Sequence, residues 1–190
     1  MIRNITGYGA GNGPFISIHD GFTALTDWVN ILPGADRIML DTHPYFAFNG
    51  NIDTSPINTG TGSAAGGQWP GQACQAWGPK MNTSLGAFGV TIAGEFSNGF
   101  NDCGLFVRGV GVAASYPDCT TWTDASNWDA STKAGVQAFA EASMDALQDW
   151  WFWTWKIGNS TAGKVESPLW SYQVVLCSLL SHLVAILMHV

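Results

Sequence analysis

Charge is scarce in this chain. Only 11% of its 190 residues are Asp, Glu, Lys or Arg, and the formal net charge is -7. The seven Lys and Arg are scattered singly, so no basic stripe exists to neutralise phosphates and nucleic acid is excluded as a partner. Cys74, Cys103, Cys119 and Cys177 form no Cys-x-x-Cys pair, which argues against a zinc ribbon. The histidines lack partners at ligand spacing, so neither a metal nor a cofactor is expected. No glycine fingerprint follows a strand, so no phosphate cradle forms at a strand–helix turn. The start, Met1 to Gly7, lacks the apolar core of a signal peptide. Three sequons beginning at Asn4, Asn82 and Asn159 nevertheless fit a secreted protein, and the expectation is that upstream sequence carrying a leader is missing.

Aromatics are abundant by contrast, at 13% of residues with ten tryptophans. Trp and Tyr stack on the apolar faces of sugar rings while their polar edges hydrogen-bond, so an acidic, aromatic-rich chain leans towards carbohydrate. An aromatic-rich core is the other reading of the same composition.

Apolar runs predict strands at Phe15–Ile18, Arg37–Leu40, Val90–Ala93 and Trp151–Trp155. Helical spacing of Phe22, Leu25, Val29 and Leu32 predicts a helix ended by Pro33-Gly34. Further helices are expected over Cys74–Leu85, Asp102–Gly109 and Thr132–Gln148, with a last one starting at Pro168-Leu169-Trp170. Residues 49–67, rich in Gly, Ser, Thr and Asn, read as a long loop. The alternation of near-continuous apolar strands with helices is that of an α/β fold with a parallel sheet. Four β/α units make half of an eightfold barrel; a flavodoxin-like open sheet is the other arrangement available. The domain is read as residues 1–173. The tail, 174–190, carries no Asp, Glu, Lys or Arg and is slightly short for a membrane span. It reads as an anchor, a buried helix or a read-through of the gene model.

Each predicted strand ends in polar or aromatic groups, and parallel pairing would deliver them to one edge. Glu95 ends the third strand, and a carboxylate there needs a task or a partner. Asp41-Thr42-His43-Pro44-Tyr45 sets His43 and Tyr45 two residues apart, on one side of an extended segment. His19 and Asp20 end the first strand, with Asp20 equally readable as a helix N-cap. Trp153 and Trp155 share a face by alternation and read as a sugar platform or as packing.

Together Ile18-His19-Asp20-Gly21-Phe22, Leu40-Asp41-Thr42-His43-Pro44-Tyr45, Ala93-Gly94-Glu95-Phe96-Ser97 with Asp102-Cys103, and Phe152-Trp153-Thr154-Trp155-Lys156 resemble the fungal exo-β-1,3-glucanases of glycoside hydrolase family 5. The resemblance runs in order from Ile2 to Gln173. It implies the C-terminal half of a (β/α)8 TIM barrel in a secreted, monomeric enzyme of the cell wall or medium. That enzyme releases glucose from the non-reducing ends of β-1,3-glucan with retention. It implies Glu95 as nucleophile and His43, Tyr45 and Trp155 as substrate-binding residues; Trp153 and Asp20 are expected to join them from their places at the strand ends. It also implies a Cys103–Cys119 disulfide and leaves Cys74 without its usual partner, a Cys74–Cys177 bridge being disfavoured. The family's acid/base glutamate follows an asparagine, and no Asn-Glu pair occurs in this chain. The expectation is therefore a truncated enzyme with weak activity or none. A carbohydrate-binding remnant without turnover is the alternative.

Overall fold

Four short runs of β-branched and large apolar residues form strands in this computed structural model, which describes residues 1–7, 10–48, 50 and 52–175. They are β1, Ile16–His19; β2, Ile38–Thr42; β3, Thr91–Phe96; and β4, Trp150–Phe152. All pair in parallel, in the sequential order β1-β2-β3-β4. The register sets His19 beside Asp41 and Thr42 beside Ala93, so the C-terminal ends of β1, β2 and β3 lie along one edge.

Helices accompany the sheet: α1, Ile2–Thr6; α2, Trp69–Ala87; and α3, Ala130–Leu147. Pro70 lies in the first turn of α2, where its missing N–H costs no hydrogen bond. Asp129 caps α3 by accepting the Thr132 amide at 2.7 Å. The two long helices pack on each other and bury Trp69, Ala73, Met81, Val136, Phe139 and Leu147 with Leu40, Ala93 and Phe96 of the sheet. Much of the aromatic content serves this core. Phe46 lies 4.7 Å from Trp77, and Phe100 lies 4.8 Å from both Trp69 and Trp122.

Three expected elements differ. The helix through Phe22, Leu25, Val29 and Leu32 does not form; only a 3-10 turn, Leu25–Trp28, closes there. Phe22, Asn30 and Leu32 take positive φ, and of the four apolar residues only Leu25 is buried. Asp20 captures the Phe22 amide at 2.8 Å and the Thr23 hydroxyl bonds the Asp20 carbonyl, so side chains take up groups that a helix would use. Asp102–Gly109 is likewise a series of turns, with Phe106 at φ 66°. Asp102 turns to the amides of Ser115 and Tyr116 rather than capping a helix. The fourth strand stops at Phe152 instead of Trp155. Beyond it the backbone changes partner: Thr154 donates to the Trp170 carbonyl, and Tyr172 and Gln173 donate to Thr154 and Trp155. Pro168–Trp170 closes a 3-10 turn, followed by helical residues 172–175.

The Cys103–Cys119 disulfide is present, and Cys74 is free and exposed. Cys177 and most of the apolar tail lie outside the described residues, so a Cys74–Cys177 bridge does too. Among the described residues no helix is long and apolar enough to cross a membrane.

Candidate active site

Glu95 is the penultimate residue of β3, where the buried run Thr91, Ala93 opens towards the sheet edge. Its Oε2 accepts a hydrogen bond from the Tyr45 hydroxyl at 2.8 Å, and His43 Nδ1 lies 3.6 Å from the same oxygen. On the far side of the imidazole, His43 Nε2 lies 3.4 Å from Asp41 Oδ1. Asp41, His43 and Glu95 thus form one line of polar groups across the ends of β2 and β3. The Asp41 oxygen facing His43 is buried with no hydrogen bond, so the imidazole is its nearest compensation.

Space for this line comes from Gly94. A Cβ there would overlap the Asp41 carboxylate, so glycine is what lets β2 and β3 pair at this height. Tyr45 is held from the other side. Its ring stacks on Trp170 at 5.0 Å with 30° between planes, and meets Phe48 edge-on at 5.5 Å. Burial first, then the hydrogen bond and charge of Glu95, push the Tyr45 hydroxyl well above its ordinary pKa. Tyr45 therefore stays a neutral donor to the carboxylate.

The other expected site residues are placed differently. Asp20 is 4% exposed; one oxygen takes the Phe22 amide and the other the Thr42 hydroxyl at 2.6 Å. It ties the end of β1 to the end of β2. His19 meets the His43 ring edge-on at 4.5 Å, and its Nδ1 accepts the Gly21 amide. Asp20, His43 and Tyr45 line a cavity of about 570 Å³ that runs back to Trp77 and Leu147. Trp153 donates its backbone N–H to the Phe96 carbonyl, next to Glu95, but its indole is exposed. Trp155 is also exposed, with its ring 6.1 Å from Tyr172. Among the described residues neither indole stacks on or hydrogen-bonds to Glu95, His43 or Tyr45.

Two participants were not singled out by sequence reasoning. Asp41 could have been, since alternation puts it on the side of His43. Trp170 could not: nothing local marks a tryptophan 75 residues after Glu95 as the floor beneath Tyr45. Among the described residues no three His, Cys, Asp or Glu side chains converge as metal ligands.

No protein-family model matches the chain. Its sequence is similar to fungal proteins named "Probable glucan 1,3-beta-glucosidase D". It is 30% identical to that of Aspergillus clavatus, 29% to that of Aspergillus terreus and 27% to that of Aspergillus fumigatus. Each alignment covers 84% of this chain but only 20–21% of the relative. The chain therefore spans about a fifth of the length of the curated relatives it matches. The resemblance read from the four motifs is borne out: over most of its length this chain is similar to fungal glucan 1,3-beta-glucosidases.

Proposed function

We propose that this chain carries the nucleophile side of a retaining β-glucosidase site for β-1,3-glucan, on four units of a (β/α)8 barrel. The observation that carries this reading is the 2.8 Å hydrogen bond from Tyr45 to Glu95 Oε2, with His43 Nδ1 3.6 Å from the same oxygen. A nucleophilic carboxylate must be oriented and kept from wandering, and a phenol donor with a nearby imidazole does both. Glu95 then attacks the anomeric carbon and forms a glucosyl ester as the glycosidic bond breaks. Departure of the sugar alcohol needs a proton from a second carboxyl group about 5–5.5 Å away. The family's Asn-Glu motif that supplies this acid is absent from the chain, so the proton donor is the missing function. Positioned general acids contribute about 10²–10⁴-fold, and laminarin hydrolysis by this chain alone is expected to be weak or absent. Secretion fits the reading, since Asn4, Asn82 and Asn159 of the three sequons are all exposed.

Leaving groups that depart without a proton provide the test. Dinitrophenyl β-glucoside should give a burst of dinitrophenolate stoichiometric with protein, then slow turnover, because the same missing carboxyl would have activated water. Added azide should speed the slow phase by replacing water as nucleophile. Equal turnover of laminarin and the aryl glucoside would contradict the reading. The exposed indoles of Trp151, Trp153 and Trp155 favour a second reading, glucan binding without chemistry, in which no burst occurs.

A further inference from the structure

His43 stands between two carboxylates, and each of its ring nitrogens faces one of them. Nε2 lies 3.4 Å from Asp41 Oδ1 on β2, and Nδ1 lies 3.6 Å from Glu95 Oε2 on β3. Among the described residues no lysine or arginine pairs with either carboxylate. The other polar groups nearby are already engaged. The Tyr45 hydroxyl donates to Glu95, and Asp20 holds the Phe22 amide and the Thr42 hydroxyl. From the end of β1, His19 meets the ring edge-on at 4.5 Å, and its own Nδ1 accepts the Gly21 amide. Phe22 adds only a ring edge at 6.4 Å.

A neutral imidazole donates at one nitrogen and accepts at the other. With its proton on Nδ1, the Nε2 lone pair would face Asp41 Oδ1, which is buried without a hydrogen bond. With its proton on Nε2, the Nδ1 lone pair would face the nucleophile's oxygen instead. Either tautomer sets a lone pair against a carboxylate oxygen. The side chains of His43 and Asp41 are only 18% and 20% exposed, so water screens that repulsion poorly. The doubly protonated ring alone presents an N–H to both oxygens. Asp41 Oδ1 in turn lies over Gly94, in space that a side chain there would fill.

Resting on the functional reading above, we infer that Asp41 is a positioning residue for the nucleophile. It holds a second proton on His43, so that the ring turns an N–H rather than a lone pair towards Glu95. The ring then carries one positive charge between two negative ones and steadies Glu95 as an anion before attack. When the glucosyl ester forms, Glu95 loses its charge, and Asp41 keeps the ring charged and in place until the ester is cleaved.

Nitrogen-15 NMR of the labelled chain tests this without any turnover, the His43 signals being those lost in His43→Gln. At about pH 7.5, where a free imidazole is mostly neutral, both His43 nitrogens should carry protons. In Asp41→Asn only one should. The dinitrophenolate burst gives the second readout. At about pH 8 Asp41→Asn should burst about tenfold more slowly than the parent, the low end for a hydrogen bond to a charged group. At about pH 5.5 solvent protonates the ring with or without Asp41, and the two proteins should burst alike. A loss of packing alone would slow both pH values equally. A singly protonated His43 in the parent, an unchanged spectrum in Asp41→Asn, or an equal loss at both pH values would overturn the inference. If circular dichroism shows that Asp41→Asn does not fold, the parent spectrum decides. A doubly protonated His43 in a parent that gives no burst at either pH would instead overturn the nucleophile reading and leave the proton assignment standing.

Discussion

Gly94 and the Asp41 carboxylate occupy adjoining space on neighbouring strands, and a methyl group on Gly94 would overlap Asp41 Oδ1. The clash would fall on a side chain already engaged with His43, so relief requires breaking that contact. Gly94→Ala should cost about 1–3 kcal/mol, as overpacking of a filled site does. In a chain of this size each kcal/mol lowers the melting temperature by roughly 2–4 °C. Thermal denaturation reads the loss, and Asp41→Gly in the same chain should recover part of it. A Gly94→Ala protein that melts with the parent would remove the steric argument.

Tyr45→Phe keeps the stack on Trp170 and deletes only the donor to Glu95. A hydrogen bond to a charged acceptor is worth about 1.5–3 kcal/mol, so the dinitrophenolate burst should slow about ten- to hundredfold. Burial and Glu95 raise the Tyr45 pKa above the ordinary 10.0. Its stabilising contribution is therefore complete below pH 10 and lost only as pH rises through the higher folded value. Ultraviolet titration should show the first alkaline transition with the same amplitude in parent and Tyr45→Phe.

Asp102 gives the opposite sign. Burial pulls its carboxyl up, but the amides of Ser115 and Tyr116 and the Arg108 guanidinium outweigh this and hold it below the usual 3.8. The group stabilises the fold above pH 3.8, and that contribution disappears as pH falls through the lower folded value. Stability measured by urea should decline on acidification below about pH 4, the ordinary carboxylate value. In Asp102→Asn that decline should be shallower, from a lower starting point.

The Cys103–Cys119 bridge closes a separation of 16 residues in the same irregular region. Its loss should cost about 3 kcal/mol. Melting curves with and without reductant measure this directly, and the Cys103→Ser, Cys119→Ser double variant should match the reduced parent.

The strands were legible because buried parallel strands need continuous apolar runs, and Ile16–His19, Ile38–Thr42 and Thr91–Phe96 each contain one. Helices α2 and α3 were legible from spacing, although α2 begins five residues before the expected Cys74. The stretch from Phe22 to Leu32 misled for a definite reason. Its spacing fits a helix, but the Asp20 side chain takes the Phe22 amide, and positive φ at Asn30 and Leu32 breaks the turn. In the site, Glu95, His43 and Tyr45 could be placed together because strand ends in a parallel sheet share an edge. Trp170 could not, since its stack on Tyr45 depends on how the chain returns after β4. Trp153 and Trp155 alternate in sequence, but the strand ends at Phe152 and after the Trp153 N–H the backbone turns from β3 to Trp170, so strand alternation no longer governs where Trp155 lies.

The central claim is that Glu95 is the nucleophile. Its most direct test is to incubate the chain with dinitrophenyl 2-deoxy-2-fluoro-β-glucoside, which needs no acid to lose its leaving group and whose fluorine slows hydrolysis of the ester. Mass spectrometry of the intact protein and its peptides should show one added fluoroglucosyl group, on Glu95, and none in Glu95→Gln. A label on any other carboxylate, or no label on a folded chain, would contradict the account.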